Sequence, residues 1–334
     1  MTDVDCFLPV GSPDSVWDFV ELATRAEATG YDRVWIPETW GRDAVTVLAT
    51  IADRTADVGI GTSVTNVYTR SPALIGQTAA TLQEVSDGRF RLGLGPSGPI
   101  LVEGWHGIDY DRPLRRTRET IEIVRSVLSG ETVDYDGDVF NLAGFRLRSD
   151  PPATPPRIDA GGMSPKSVEL AGRFADGWHA LMLTEAGLEE RLEDLRRGAE
   201  LGGRDPEDVR VTLMQGAAVD EDPARARDLV RNHLAFYVGA MGTFYREALS
   251  KQGYEDTALT VAQEWASGNY EAAEAAIGDE LLGDLAIVGT PEEARRQLAD
   301  LRAVEGVDAV SISFPRGADQ ETALRTVEAL APET

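Results

Sequence analysis

Short apolar segments alternate with amphipathic segments along most of this chain of 334 residues. The apolar segments are typical of buried β-strands and number eight: Val4–Leu8, Arg33–Ile36, Val58–Val64, Phe90–Leu94, Arg157–Ala160, Trp178–Leu183, Val209–Val219 and Val307–Phe314. The amphipathic segments predict helices: Val16–Thr29, Ala44–Thr55, Pro72–Val85, Pro113–Leu128, Ser167–Ala175, Ala186–Leu201, Pro223–Ala240 and Thr322–Leu330. Such a repeat predicts an α/β fold, a closed (β/α)8 TIM barrel, and not an open doubly wound sheet.

Two stretches of sequence do not fit the repeat. Residues 131–156 contain the dipeptide Asp136-Gly137, which is typical of a β-hairpin, and a run rich in proline. Residues 253–284 are rich in alanine and glutamate and predict extra helices. We expect both to be insertions in a single domain that spans residues 1–334.

The net charge of the chain limits the classes of partner that we expect for it. With 57 acidic and 32 basic residues its formal net charge is −25. Nucleic acids and anionic membranes attract a concentrated positive surface, so neither is an expected partner. All basic residues except Lys166 and Lys251 are arginine. This pattern favours a halophilic protein that works in concentrated salt, although a GC-rich genome also favours arginine over lysine.

The cysteine and histidine residues and the hydropathy of the sequence exclude several kinds of site and segment. The lone Cys6 cannot form an intramolecular disulfide, and its position in a predicted strand favours burial. His106, His179 and His233 have no partner at metal-ligand spacing, so we expect no metal site. A Ser-His-Asp triad is not indicated, because no G-x-S-x-G elbow is present. The sequence lacks a signal-peptide pattern and any apolar run of membrane-spanning length, so we expect a cytoplasmic protein.

In a TIM barrel the active site lies in the loops at the carboxyl ends of the strands. Two carboxylates in such loops, Glu38 and Glu103, are candidate acid or base groups, and a structural role is the alternative for each. The loop Gly161-Gly162-Met163 precedes Ser164 and a predicted helix, so it can bind a phosphate or simply cap that helix.

The segment Gly93-Leu94-Gly95-Pro96-Ser97-Gly98 matches the G-x-G-x-x-G dinucleotide fingerprint. We reject a Rossmann site, because the fingerprint opens a helix directly and Pro99, Gly104 and Gly107 are expected to interrupt one here. The favoured interpretation is that these glycines let the backbone approach a flat ring, and a bare turn is the alternative.

Several loops resemble those of a known family when taken together. They are GIGTSVTN from Gly59 to Asn66, YTRSP from Tyr68 to Pro72, SDGRF from Ser86 to Phe90, and AGRFADGW from Ala171 to Trp178. Their order and spacing resemble the luciferase-like monooxygenase superfamily, in its branch of oxidoreductases that use the deazaflavin coenzyme F420. The segment VTNVYTRSP is similar to that of the methylenetetrahydromethanopterin reductases.

The resemblance implies a cofactor site. A non-prolyl cis peptide bond, Ser63–Val64, would make a bulge behind the deazaflavin ring. The ring would contact Glu38, Thr39 and the loop Pro96-Ser97-Gly98, and the phosphate tail would lie at Gly161, Gly162 and Met163. Relatives often carry Asp-His where this chain has Glu38-Thr39, and an acidic residue where it has Ser97-Gly98, which leaves Glu103 as the nearest candidate acid.

The function implied is hydride transfer between F420 and a small electron-poor substrate. A methylene-tetrahydromethanopterin or methylene-tetrahydrofolate carrier of one-carbon metabolism is the specific expectation. One alternative is an FMN-dependent monooxygenase of the same superfamily, and another is a barrel that binds a flavin or deazaflavin without turnover. Relatives are commonly dimers or tetramers, so we expect a homodimer or homotetramer.

Overall fold

A computed structural model describes residues 2–8 and 15–332 of the protein. Its strands are β1 (Asp3–Phe7), β2 (Arg33–Ile36), β3 (Gly59–Thr62), β4 (Thr65–Asn66), β5 (Phe90–Gly95), β6 (Val133–Asp136), β7 (Asn141–Phe145), β8 (Arg157–Gly161), β9 (Gly177–Leu181), β10 (Arg210–Val219), β11 (Ala286–Gly289) and β12 (Ala309–Ser313). The order of pairing is β9, β10, β12, β1, β2, β3, β5, β8 and again β9. The predicted closed (β/α)8 barrel and its eight strands are therefore confirmed.

The helices include all eight that the sequence pattern predicts. They are α1 (Val16–Ala28), α2 (Ala44–Arg54), α3 (Pro72–Val85), α4 (Pro99–Gly104), α5 (Pro113–Leu128), α6 (Pro165–Phe174), α7 (Glu185–Leu201), α8 (Pro223–Ala240), α9 (Thr243–Leu249), α10 (Glu255–Ala266), α11 (Tyr270–Ala275), α12 (Asp279–Leu285), α13 (Pro291–Arg302) and α14 (Gln320–Ala329). Pro72, Pro165 and Pro291 each begin a helix. Proline suits that position because the missing N–H would have no partner within the helix.

The two stretches outside the repeat contain a hairpin and helices, and several elements elsewhere were not predicted: strands β4 and β11 and helices α4, α9 and α13. Strands β6 and β7 form an antiparallel hairpin around Asp136, and residues 253–284 contain α10 to α12. Strand β11, which pairs with the end of β10, and helix α13 lie just before β12. A four-residue strand and a mainly polar helix give little periodic signal, although Thr290 and Glu293 form a capping box.

One compact unit of the chain comprises Met1–Val34, Ala180–Glu193 and Val211–Thr334. Within it, β12 pairs in parallel with β1 on one side and with β10 on the other. Cys6 is buried in β1, and burial raises the pKa of its thiol far above the usual range. The expected burial of Cys6 is confirmed, and such a thiol does not act as a nucleophile.

The other compact unit comprises Trp35–His179 and Asp194–Arg210. Strands β3, β5, β8 and β9 lie side by side and parallel, with Leu92 opposite Ile158 and Ala160 opposite Trp178. Every residue that the sequence analysis selects for the site belongs to this unit. Across residues 2–8 and 15–332, the structure contains no helix with the length and apolar character needed to cross a bilayer.

Candidate functional site

The chain makes a bulge between β3 and β4 at the carboxyl end of the strands. The Ser63–Val64 peptide bond is cis, as the resemblance implies. Its backbone is joined to the end of β2, because the N–H of Ser63 donates to Ile36 O at 2.9 Å and the N–H of Glu38 donates to Val64 O at 3.4 Å. Ser63 and Val64 are half-buried between the buried residues Thr62 and Thr65. The bulge is thus the accessible part of this strand end.

Glycines surround the Val64 side chain. A Cβ atom added at Gly95 would lie 2.6 Å from Val64 Cγ2, and one at Gly161 would lie 3.0 Å from Val64 Cγ1. These two glycines therefore make room for Val64. For Gly95 this differs from our interpretation that the glycines of residues 93–98 let the backbone approach a ring. At Gly98, by contrast, an added Cβ would meet no atom within 4 Å. The surroundings of Gly98 are therefore open on the side where a Cβ would lie.

The glycine-rich loop after β5 opens a short helix, which the sequence analysis did not expect. Gly98 precedes α4, whose first residue is Pro99. The expectation that Pro99 would prevent a helix was wrong, because proline fits the first helical position. The fingerprint still does not mark a Rossmann site, since it follows a barrel strand and α4 has six residues.

Glu38 joins the loop after β2 to the loop after β4. Its Oε1 accepts a hydrogen bond from Arg70 Nε at 2.7 Å, and its Oε2 accepts one from the N–H of Asn66 at 3.0 Å. Arg70 Nη2 also lies 2.7 Å from Asp43 Oδ2. Burial acts to lower the pKa of Arg70, but its hydrogen bond and charge interaction with Glu38 outweigh that effect and raise it. The ion pair holds the bulge loop in place.

Two further predicted site residues, Glu103 and Thr39, differ in their exposure to solvent. Glu103 is exposed near the end of α4, and its Oε1 accepts a hydrogen bond from the N–H of Tyr110 at 3.2 Å. The Tyr110 ring stacks on that of Tyr68 with centroids 5.2 Å apart, and burial together with Tyr68 raises the pKa of Tyr110 to about 12. Thr39 is half-buried beside Glu38. Glu103 therefore contacts the loop that follows α4.

The loop Gly161-Gly162-Met163 connects β8 to the first turn of α6 and is half-buried. Trp178 Nε1 donates a hydrogen bond to Gly162 O at 2.9 Å, and Ser164 Oγ accepts one from the N–H of Ser167 at 3.2 Å. Ser164 thus caps α6, as the simpler interpretation required. Helix α6 has ten residues, and the positive end of its dipole favours an anion at this loop.

The structure also brings together four residues that sequence reasoning did not connect. Ser63 Oγ lies 2.7 Å from His179 Nδ1, and His179 Nε2 lies 3.3 Å from Asp159 Oδ2. Arg91 donates to both oxygens of Asp159, from Nε at 2.9 Å and from Nη2 at 2.5 Å. Ser63 and His179 are 116 positions apart in the chain, so no local sequence motif predicts their contact.

In this network of four side chains, Arg91 and His179 offset the effect of burial on the Asp159 carboxylate. Asp159 and His179 are 1% and 4% exposed, and the His179 ring makes a T-shaped contact with the Trp35 ring, with centroids 4.6 Å apart. Burial acts to raise the pKa of Asp159, but the Arg91 charge and the His179 hydrogen bond outweigh it and hold that pKa well below its usual range. Asp159 is therefore ionised at neutral pH. Within the part of the chain that the structure describes, no three His, Cys, Asp or Glu side chains are grouped to bind a metal.

Comparisons with known proteins identify the family of this chain. A putative coenzyme F420-dependent oxidoreductase of Mycobacterium tuberculosis is 36% identical over 84% of this chain and 86% of its own length. A 5,10-methylenetetrahydromethanopterin reductase of Methanolobus tindarius is 30% identical over 94% of this chain and 95% of its own. The solved coenzyme F420-dependent tetrahydromethanopterin reductase of Methanopyrus kandleri has the same fold, with a TM-score of 0.82, 21% identity, and coverage of 99% of this chain and 98% of that one. The sequence profile of the luciferase-like monooxygenase family matches residues 3–308, and the chain belongs to that family.

Proposed function

We propose that the protein is a coenzyme F420-dependent oxidoreductase that transfers a hydride between the deazaflavin and a small electron-poor substrate. The observation that carries the proposal is the half-buried Ser63–Val64 bulge with open space at Gly98, both at the carboxyl end of the strands. Similar proteins named as F420-dependent oxidoreductases and as methylenetetrahydromethanopterin reductases support it.

The residues present fit such a cofactor. No side chain meets a Cβ placed at Gly98, so a planar ring can approach the backbone there. The amino end of α6, with the loop Gly161-Gly162-Met163 before it, suits a phosphate group. When bound, F420 supplies the hydride-carrying ring carbon. The protein supplies binding, orientation and electrostatics.

Each group in the bulge then has a defined task. Val64, which packs between Gly95 and Gly161, gives the ring a fixed apolar backing. Glu38 and Arg70 keep the bulge loop attached to the end of β2. Thr39 and the loop Pro96-Ser97-Gly98 flank the ring in the proposal. Fixed placement of the ring and the substrate is itself a large part of catalysis.

Glu103 is the proposed acid or base for the substrate side of the site. It is exposed and lies on the helix that opens after Gly98, so a proton can exchange with solvent there. Replacing Glu103 with Gln should lower turnover by roughly 10²-fold or more while leaving F420 affinity unchanged. Equal turnover by Glu103→Gln and the wild type would remove this assignment.

The substrate we propose is a methylene-tetrahydromethanopterin or methylene-tetrahydrofolate carrier. Support comes from the reductase of Methanolobus tindarius, which is similar along nearly the whole chain. Hydride addition to the methylene iminium carbon itself needs no strong acid. Glu103 would donate the proton that one carrier nitrogen takes up when the methylene bridge opens to the iminium. The test is oxidation of reduced F420 under anaerobic conditions with each carrier. No oxidation with either carrier would contradict the substrate class.

The same preparation separates the alternatives. An FMN-dependent monooxygenase would bind FMN and consume oxygen only when its substrate is present. A non-catalytic barrel would bind F420 but would not oxidise it with any electron-poor acceptor. Our proposal requires F420 binding and turnover without oxygen.

Assembly, compartment and salt adaptation remain predictions. We propose a cytoplasmic homodimer or homotetramer, which light scattering after size-exclusion chromatography would identify. The net charge of −25 supports adaptation to salt. The free energy of unfolding should rise between dilute buffer and molar KCl, because counterions screen the repulsion among carboxylates. A monomer, or a stability that falls with salt, would contradict the corresponding prediction.

A further inference from the structure

Helix α8 carries three rings near its carboxyl end, those of His233, Phe236 and Tyr237. Residues three and four positions apart are neighbours on the surface of a helix. The His233 and Tyr237 rings have centroids 4.7 Å apart, and the Phe236 and Tyr237 rings have centroids 5.8 Å apart. All three side chains are half-buried, so a ligand in solvent can reach this row of rings.

Two neighbouring elements extend the row. The ring of Tyr245 in α9 makes a T-shaped contact with that of Tyr237, with centroids 4.8 Å apart. Arg316 follows β12, and its guanidinium carbon lies 4.8 Å from the centre of the Phe236 ring. The backbone N–H of Arg316 donates to His233 Nδ1 at 2.9 Å. These five residues, here called the ring cluster, belong to one compact unit. Arg316 lies at the carboxyl end of a barrel strand, where TIM barrels bind their ligands.

The ring cluster contains hydrogen-bond donors that the fold does not use. Burial, reinforced by the Arg316 charge, lowers the pKa of His233 to about 4, so its ring is neutral at pH 7. Because Nδ1 accepts a backbone N–H, the proton of His233 is on Nε2. Burial raises the pKa of Tyr237 and of Tyr245, so both hydroxyls keep their protons. No described residue forms a hydrogen bond with His233 Nε2 or with either hydroxyl.

Arg316 adds a positive charge that no carboxylate neutralises. The chain has 57 acidic and 32 basic residues, yet none of the carboxylates that the structure describes forms an ion pair with Arg316. Arg231 of α8, by contrast, pairs with both Asp228 and Asp279. A guanidinium beside unused donors favours a ligand with carboxylate, phosphate or carbonyl oxygens. The adjacent rings favour a ligand that is itself aromatic.

We propose that the ring cluster binds the substrate through an aromatic group that carries an anionic tail, with Arg316 on the tail and the rings of Tyr237 and Tyr245 against the aromatic group. The inference rests on the proposed F420-dependent function. It narrows the substrate from any small electron-poor molecule to an acidic aromatic one. The two one-carbon carriers named above are of this class, because each has an arylamine ring and an anionic tail.

The first test needs no cofactor. The probe is p-aminobenzoylglutamate, an aromatic amide with carboxylates, and calorimetry at fixed ionic strength measures its affinity. We expect saturable binding to the wild type, weakened about tenfold or more by Arg316→Gln, because a charge-assisted hydrogen bond is lost. Glutamate and 4-aminobenzamide, which each carry part of the probe, should bind at least about tenfold more weakly. No binding of the probe, or equal affinity for either part, would overturn the inference.

The matched control for Arg316 is Arg173. Its guanidinium also lies over a phenylalanine ring, that of Phe174, at 5.1 Å from the ring centre. Arg173→Gln removes the same charge from the chain and should keep the wild-type affinity for the probe. A loss of affinity equal to that in Arg316→Gln would show an effect of net charge alone and would overturn the assignment to Arg316.

The tyrosine hydroxyls give an independent test. Tyr237→Phe and Tyr245→Phe keep the rings and remove only the hydroxyls, so each should lower probe affinity by about threefold to tenfold. The midpoint of urea denaturation should not fall, because neither hydroxyl has a partner among the described residues. Tyr68→Phe is the contrasting case and should lower that midpoint, since the Tyr68 hydroxyl donates to Asp111 O at 2.7 Å. Unchanged probe affinity in both cluster variants would overturn the inference.

F420 also carries an anionic tail, so the titration is repeated with the wild type saturated with F420. The affinity for the probe should be unchanged, because the ring cluster is assigned to the substrate. Displacement of the probe by F420 would assign the cluster to the cofactor tail and overturn the inference.

Failure of the inference and failure of the proposed function can be told apart. If the wild type binds no F420, the proposed function is wrong and the inference is lost with it. If the wild type oxidises reduced F420 with a one-carbon carrier and Arg316→Gln has the same KM for that carrier, the proposed function stands and the inference alone is wrong. We expect KM to rise about tenfold or more in Arg316→Gln, in parallel with the weaker binding of the probe.

Discussion

Glu38 Oε1 accepts a hydrogen bond from Arg70 Nε at 2.7 Å, and this pair joins the loops that follow β2 and β4. The two side chains are 12% and 20% exposed. Glu38→Gln removes the charge that Arg70 faces, so the free energy of unfolding should fall by about 1–3 kcal/mol, measured by urea denaturation. F420 affinity should fall roughly tenfold, because the bulge loop is held less firmly.

The control for this change is a pair whose carboxylate is mostly exposed. Glu190 lies 3.3 Å from Arg191 with 71% of its side chain exposed. Glu190→Gln should change stability by no more than about 0.5 kcal/mol, because solvent screens such pairs. Equal effects of the two substitutions would show that the Glu38–Arg70 pair does not secure the loop.

Gly95 should not tolerate alanine. The added Cβ would lie 2.6 Å from Val64 Cγ2, closer than atoms approach in folded proteins. We expect Gly95→Ala to lose about 1–3 kcal/mol of stability in urea denaturation. At Gly283, an exposed helical position where an added Cβ meets nothing within 4 Å, alanine should stabilise by up to about 1 kcal/mol. A stable Gly95→Ala protein would contradict the packing described for Val64.

At Gly98, in contrast to Gly95, alanine should leave stability unchanged and lower the affinity for F420. An added Cβ has no neighbour within 4 Å and the backbone φ is −131°, which alanine adopts without strain. Stability should therefore stay within about 0.5 kcal/mol of wild type. Fluorescence titration should show F420 affinity reduced at least about tenfold, because the methyl group occupies the space proposed for the ring. Unchanged F420 affinity would contradict the placement of the ring at Gly98.

The ionisation of Asp159 should make the free energy of unfolding depend on pH in the acidic range. Its pKa in the folded protein lies below the ordinary value of about 3.9, so its contribution is complete above that pH and is lost as the pH falls towards the folded-state value. Asp159→Asn should cost about 3–5 kcal/mol at pH 7, since the half-buried Arg91 loses its carboxylate partner. The difference from wild type should shrink as the pH falls below about 4.

Urea denaturation at pH 7, 5 and 3.5 measures this dependence. Asp228, whose side chain is 72% exposed next to Arg231, is the matched control, and Asp228→Asn should leave stability within about 0.5 kcal/mol. A cost for Asp159→Asn that is independent of pH would contradict the ionised state of Asp159.

The barrel could be predicted from sequence because each of its strands is a separate apolar run, and the pattern needs no knowledge of distant contacts. Helix α4 was missed for a local reason, since Pro99 was taken to end a helix that it begins. Strand β11 and helix α13 were missed because one is short and the other is mainly polar. These errors concern elements outside the eight strands.

The site was predicted less completely, for a physical reason. The Ser63–Val64 bulge and the loop Gly161-Gly162-Met163 lie in short contiguous segments, so resemblance to other sequences can identify them. The contacts of Ser63 with His179 and of Asp159 with Arg91 join residues 116 and 68 positions apart. Only the register of β3, β5, β8 and β9 brings them together. Likewise, the sequence gives no sign that Gly95 and Gly161 accommodate Val64.

The most direct test of the proposed function is an anaerobic titration of the wild-type protein with F420 and, separately, with FMN, followed by absorbance. We predict saturable perturbation of the F420 spectrum, much weaker binding of FMN, and loss of F420 affinity in Gly98→Ala with the fold intact. Tight binding of FMN with no perturbation of the F420 spectrum would contradict the proposal.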